Sequence, residues 1–183
     1  MNTTIFLKEA VVKHGIELAV MVYTDKIDFR DKRVMGGGME LLADINGFVA
    51  ETAICEHFKK SWPSLLEKKL DNGDIELDGK RYDIKCSHDL LVNCEQYRKL
   101  KGKIDGFVFC KLGGMREEHR FTILGKQYQV FVPSDNGDAY VEILGKIDYD
   151  NVPKFSKIKI FTEDKHEVSR AYKVKVEKLN PVI

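Results

Sequence analysis

Cysteine is scarce and scattered in this chain. Its four copies, Cys55, Cys86, Cys94 and Cys110, lie far apart and mostly within apolar patterns. That spacing excludes a paired zinc motif and a dense disulfide framework. The five histidines are equally dispersed and read as structural. No apolar run approaches the length that spans a bilayer, and Asn2-Thr3-Thr4 leads into mixed sequence rather than a signal peptide. The expected location is intracellular, cytoplasmic, with no membrane partner. An excess of charge of one sign is also missing, since 30 Lys and Arg against 29 Asp and Glu leave a formal net charge of +1. Bulk attraction for nucleic acid is thereby excluded, and any anionic partner has to meet a local patch. Gly36-Gly37-Gly38 lacks a preceding strand and the Lys-Ser/Thr of a phosphate loop, so it reads as an entry loop to the next helix. No internal repeat or low-complexity tract is visible.

What is present can form a core. With 183 residues and 43% hydrophobic content, the chain has the material for one domain, or one domain with an extension. Its most informative stretch is residues 71 to 87. Asp78-Gly79 is a two-residue turn signal, with apolar and polar residues alternating on both sides. Closing the turn there predicts the pairs Leu77–Lys80, Glu76–Arg81, Ile75–Tyr82 and Asp74–Asp83. Alternation then puts Asp74, Glu76, Arg81, Asp83 and Lys85 on one face, and Ile75, Leu77, Tyr82, Ile84 and Cys86 on the other. Like charges directly opposite each other are destabilising. A purely structural hairpin gains nothing from Asp74 against Asp83, whereas a divalent cation between them reverses the sign. With Lys85 beside them, these residues predict a metal site for phosphate chemistry. The competing reading is a solvated hairpin in which Glu76–Arg81 is a weak surface pair.

Upstream, residues 46 to 60 have helical periodicity, with Phe48, Ala50, Ala53, Ile54 and Phe58 forming a buried stripe. Glu51 lies within or beside that stripe, where an unpaired carboxylate is costly to bury. Glu56 and the lysines belong on the wet face. Glu51, Asp74 and the triplet Asp83-Ile84-Lys85, in this order and spacing, resemble the PD-(D/E)XK nuclease superfamily. Gly47 to Ala53 looks like the Gly-x-x-x-Glu-x-Ala helix of its phage, viral and prokaryotic members. The resemblance implies an α/β, restriction-endonuclease-like core of helix, three-stranded meander, helix and strand. Leu90 to Leu112 resembles the helix and buried strand that follow the triplet, the strand being Phe107-Val108-Phe109-Cys110. The match covers roughly residues 30 to 112.

For such a nuclease the residue types make chemical sense. Phosphodiester hydrolysis needs a nucleophilic water, neutralisation of the phosphate and stabilisation of the leaving oxygen. A hard cation such as Mg²⁺, for which Mn²⁺ substitutes, prefers carboxylate and water oxygens. The resemblance implies that Asp74 and Asp83 supply bridging carboxylates and that the Ile84 carbonyl adds a ligand. Glu51 completes the sphere directly or through water. Lys85 then orients or helps deprotonate the attacking water. Metal and phosphate pull on its proton in opposite directions, so its protonation state is open, as is the choice between one metal and two.

Local basic patches are Arg30, Lys32 and Arg33; Lys59 and Lys60; Lys68 and Lys69; and Arg98, Lys99, Lys101 and Lys103. The last follows the active-site strand and is the candidate nucleic-acid contact. It reads equally well as a solvated helix end whose cations offset the C-terminal dipole. Ile5 to Tyr23 has apolar residues at helical intervals, yet Ala19-Val20-Met21-Val22 also suits a strand. After Gly113-Gly114 the chain becomes β-rich: Arg120 to Leu124, Tyr128 to Val132, Tyr140 to Ile147, Lys157 to Phe161 and Tyr172 to Val176, linked by Ser134-Asp135-Asn136-Gly137 and Val152-Pro153. The expected organisation is one nuclease domain over 1–183, with its core at about 30–112 and a β-rich C-terminal extension at about 115–183. That extension could read sequence, mediate homodimerisation or cover a sheet edge.

The expected function is that of a Mg²⁺-dependent deoxyribonuclease with DNA as partner, an endonuclease of restriction or phage/viral type (acting in the host cytoplasm if viral). A Holliday-junction resolvase shares the same core. A nucleic-acid-binding protein that keeps the fold without cleaving is the alternative from a different class.

Overall fold

Helices dominate the opening part of the chain and strands the rest. A computed structural model describes residues 3–29, 38–64, 73–87, 89–163 and 166–182. Strand β1 (Thr3–Phe6) leads into helices α1 (Glu9–Phe29) and α2 (Gly38–His57). Next come β2 (Ile75–Leu77), β3 (Lys80–Cys86), β4 (Leu91–Asn93), helix α3 (Cys94–Lys99) and β5 (Gly106–Gly114). The series ends with β6 (Arg116–Ile123), β7 (Lys126–Pro133), β8 (Ala139–Asp148), β9 (Ser156–Glu163) and β10 (His166–Val174). The ambiguous N-terminal stretch resolves as helix: Ala19-Val20-Met21-Val22, which also suited a strand, lies within α1, and the short strand β1 comes before it. The chain is mixed α/β and divides into two compact units: one of Met1–Thr3, Leu70–Lys111 and Glu142–Ile183, the other of Thr4–Lys69 and Leu112–Val141. This division cuts across the boundary expected near residue 112.

The first unit carries the hairpin. β2 pairs with β3 antiparallel, and β3 pairs with β5 in parallel, from Tyr82 opposite Gly106 to Cys86 opposite Cys110. A parallel neighbour needs a crossover, and β4 and α3 provide it. Among the described residues the hairpin is two-stranded, and β4 pairs elsewhere, in a second sheet of order β4-β10-β9. Its core gathers Leu90, Val92, Leu100, Ile104, Phe107, Phe109, Ile147, Tyr149, Val152 and Val174. The predicted buried strand fits, since Phe107, Val108, Phe109 and Cys110 are all fully buried. Tyr97 stacks on Tyr149 with ring centroids 4.2 Å apart, and each hydroxyl donates to the other residue's backbone carbonyl. Burial pushes the Tyr97 phenol up to about 12.

In the second unit α1 packs on α2, and α2 on β7 of the β6–β7 hairpin. Val11, Val12, Leu18, Ala19 and Tyr23 of α1 are buried, as are Leu41, Ile45, Val49, Ala53 and Ile54 of α2. The helices touch closely at Gly15. A Cβ there would sit 2.6 Å from the backbone nitrogen of Val49.

Candidate functional site

The Asp78-Gly79 turn forms as its residues dictate. Both have positive φ, 51° and 72°, which a type I′ turn requires and which Asp and Gly tolerate best. Three of the four expected cross-strand pairs follow: Leu77–Lys80, Glu76–Arg81 and Ile75–Tyr82. The fourth does not. Gly73, at φ +86°, turns the chain just before the strand, and the ladder stops short of Asp74–Asp83. The Asp74 N–H donates to the Tyr82 carbonyl at 2.8 Å, and its carboxylate accepts from the Ile84 N–H at 2.7 Å. Asp74 and Asp83 are therefore not a ladder pair; the Asp74 carboxylate holds the Ile84 N–H and the Asp83 carboxylate holds Lys85.

Asp83 finds its partner two residues along its own strand. Alternation brings Lys85 to the same face, and its ammonium makes an ion pair with the Asp83 carboxylate. The pair is largely dry, with side-chain exposures of 17% for Lys85 and 8% for Asp83. Glu76 and Arg81, expected on the same face, are exposed. Ile84 is buried and pairs with Val108 of β5. Beyond Lys85, the Cys110 thiol donates to the Lys85 carbonyl at 3.7 Å.

Glu51 belongs to α2, in the other compact unit, and is buried as anticipated at 8% exposure. Phe48, Ala50, Ala53 and Ile54 form the buried stripe, while Phe58 lies past the helix end and is half-buried. Glu56 keeps to the solvent side of the helix, pairing with an exposed lysine. It is half-buried and takes an ion pair from Lys8 at 2.7 Å. Among the described residues, no three His, Cys, Asp or Glu side chains converge as a metal-ligand group. The donors at hand, Asp74 and Asp83, are carboxylate oxygens of the hard type that Mg²⁺ prefers.

The basic cluster has the geometry of a helix end. Asn93 caps α3, its side chain accepting from the N–H groups of Glu95 and Gln96. Arg98 and Lys99 occupy the last turn. Arg98 donates to the Cys94 carbonyl at 3.2 Å, and Lys99 pairs with Glu95 at 2.7 Å, holding that carboxyl below its ordinary range. Lys101 lines a cavity of about 420 Å³ together with Lys80, Asp105, Asp148 and Asp150, so carboxylates outnumber cations there. Lys103 is half-buried after the helix. Lys59 and Lys60 are exposed in the second unit. Arg30, Lys32, Arg33, Lys68 and Lys69 lie outside the described residues, as do Gly36 and Gly37.

Sequence reading missed a second charged centre. Asp89 sits between Lys159 of β9, at 2.8 Å, and Lys173 of β10, at 3.0 Å. Hydrogen bonds from Lys159 and Lys173 lower its carboxyl to about 2. The signal was the alternation Lys157-Ile158-Lys159 and Lys173-Val174-Lys175, which reads as an ordinary amphipathic edge until the strands are paired. Comparison of the chain with known protein families, curated proteins and solved structures found no match.

Proposed function

We propose that this chain is a metal-dependent DNA nuclease with a restriction-endonuclease-like core, built around Asp74, Asp83 and Lys85. The observation that carries the reading is the largely buried Asp83–Lys85 pair on β3, with the Asp74 carboxylate held on the intervening residue, Ile84. Burying an ion pair seldom stabilises more than an apolar pair of similar size, so a functional reason for keeping it is the better account.

Mg²⁺, when bound, supplies charge neutralisation at the phosphate and lowers the pKa of water. Asp74 and Asp83 would hold it, with the Ile84 carbonyl adding an oxygen donor from the same strand as Asp83. Lys85 sets its ammonium against the Asp83 carboxylate in a largely buried pair. Its ammonium has three donors and no acceptor, which suits it to orient a water and to offset negative charge on a phosphate. Hard oxygen donors and a neighbouring lysine suit phosphodiester hydrolysis, in which a cation and an ammonium offset phosphate charge while water attacks.

One observation favours a second reading. In the largely buried pair Lys85 already offsets the charge of Asp83. A nucleic-acid-binding protein without cleavage would have this property. Supercoiled plasmid incubated with Mg²⁺, Mn²⁺ or chelator separates the two. The nuclease reading expects metal-dependent nicking or linearisation that Asp83→Ala and Lys85→Ala each abolish. Intact plasmid under every condition, or cutting by both variants at the wild-type rate, refutes it.

A further inference from the structure

Four lysines crowd one side of the β9–β10 pair. Lys157 stands directly opposite Lys173, and Lys159 lies two residues further along β9. Side chains alternate in a strand, so these three share a face, and the bridging by Asp89 fits that placement. Lys175 follows the end of β10, and a cavity of about 410 Å³ is lined by Asp89, Leu90, Lys157, Lys173, Lys175 and Glu177. Like charges directly across a ladder are destabilising. Asp89 offsets Lys159 and Lys173, whereas Lys157 and Lys175 make no ion pair among the described residues. Glu177 is the other carboxylate lining the cavity. Among the described residues, the face therefore holds more positive charge than its own acids balance.

We propose that this face of the β4-β10-β9 sheet is a docking surface for the phosphodiester backbone of DNA, separate from the Asp83–Lys85 pair. A single small anion would not span it. Two residues along a strand advance about 6.7 Å, and the neighbouring strand adds about 4.8 Å, so the ammonium groups are spread over several anion positions. A repeating anion matches that spread. Lysine, a point charge on a flexible stem, suits contacts that position a backbone without reading bases. The near-zero net charge of the whole chain makes such a local patch necessary for any polyanion. Its identification as DNA rests on the function proposed above, while the surplus charge stands by itself.

The test is binding of a fluorescein-labelled DNA duplex, followed by anisotropy across a NaCl series in chelator, so that cleavage does not enter. Lys157→Gln/Lys175→Gln removes the two lysines that hold no ion pair. The salt slope of binding should shrink by about 1.8, at about 0.9 for each phosphate that is no longer neutralised. Asp89→Asn frees two ammonium groups and should act oppositely, tightening binding and steepening the slope. Circular dichroism and melting confirm folding, and the double lysine variant should melt no lower than wild type. Unchanged affinity and slope in both variants overturn the proposal. So does tighter binding to phosphatidylserine-containing vesicles than to the duplex at the same salt, which would make the partner a membrane. Plasmid cleavage that survives alongside an unaltered slope defeats the docking surface and spares the nuclease reading. Lysine-dependent binding without any cleavage does the reverse.

Discussion

At the scale of single residues, the decisive interaction is the one between Asp83 and Lys85. Converting Asp83 to Asn keeps the shape but leaves a largely buried ammonium without its counter-charge. Breaking such a pair from one side should cost about 3 kcal/mol, so Asp83→Asn is expected to melt earlier than wild type in chelator. A melting temperature that stays or rises would mean that Asp83 is under repulsive strain, as a facing pair of carboxylates would be. Mg²⁺ should also raise the wild-type melting temperature and leave that of the variant unmoved, since a ligand that binds only the folded state stabilises by mass action. Asp89 gives a second test, with pH as the variable. Its carboxyl is held at about 2 against an ordinary 3.8, so it binds its proton more weakly when folded. The stability it contributes is fully present above pH 4 and lost as pH falls through about 2. Melting of wild type against Asp89→Asn should differ most above pH 4 and converge near pH 2; a constant difference would remove the two lysines as the cause. The burial of Glu51 was legible because its apolar neighbours recur at helical intervals. The orientation of Asp74 was not, because it depends on where Gly73 ends the strand.

Two glycines show how differently one residue type acts within elements. Gly79 has open space where a Cβ would go, but a φ of +72°, so Gly79→Ala should cost about 1–2 kcal/mol in backbone strain alone. Gly15 is helical, and alanine there would gain about 0.5–1 kcal/mol of helix propensity. Yet its Cβ would strike the backbone of Val49, and overpacking typically costs about 1–3 kcal/mol. Gly15→Ala is therefore expected to lower the denaturation midpoint in urea, and a raised midpoint would show that α1 can shift away from α2. The elements themselves were largely readable. Asp78-Gly79 specified its own turn, and Phe107 to Cys110 was recognisable as a buried strand from its unbroken apolar run. Each of the five C-terminal β stretches corresponds to a strand, with ends displaced by a few residues. Strand β4 escaped notice because three residues, Leu91–Asn93, are too few to show a period.

For the whole molecule, the hidden feature was how distant segments combine. Each unit draws on chain from before and after residue 112, and no local pattern announces that. The core of the first unit joins Phe107 and Phe109 to Ile147, Tyr149, Val152 and Val174. The second sets β7 against α2. A truncation to residues 1–112, which contains every residue of the nuclease resemblance, is consequently expected not to fold. Its circular dichroism should show no cooperative thermal transition, whereas the full chain should melt cooperatively. A sharp melt of the fragment would restore the division into a core and an appended extension.

The central position of β5, between β8 and β3 in sheet order, has a consequence during synthesis. Its apolar run Phe107-Val108-Phe109-Cys110 leaves the ribosome well before β8, the neighbour that covers its other edge. Chains elongate at about 5–20 residues per second, so for about 2–8 s this uncharged, β-prone segment has one edge unsatisfied. Such segments associate with their own kind while they wait. Expression at lower temperature, or with a holding chaperone in excess, should accordingly raise the yield of native protein more than any change to the charged surface.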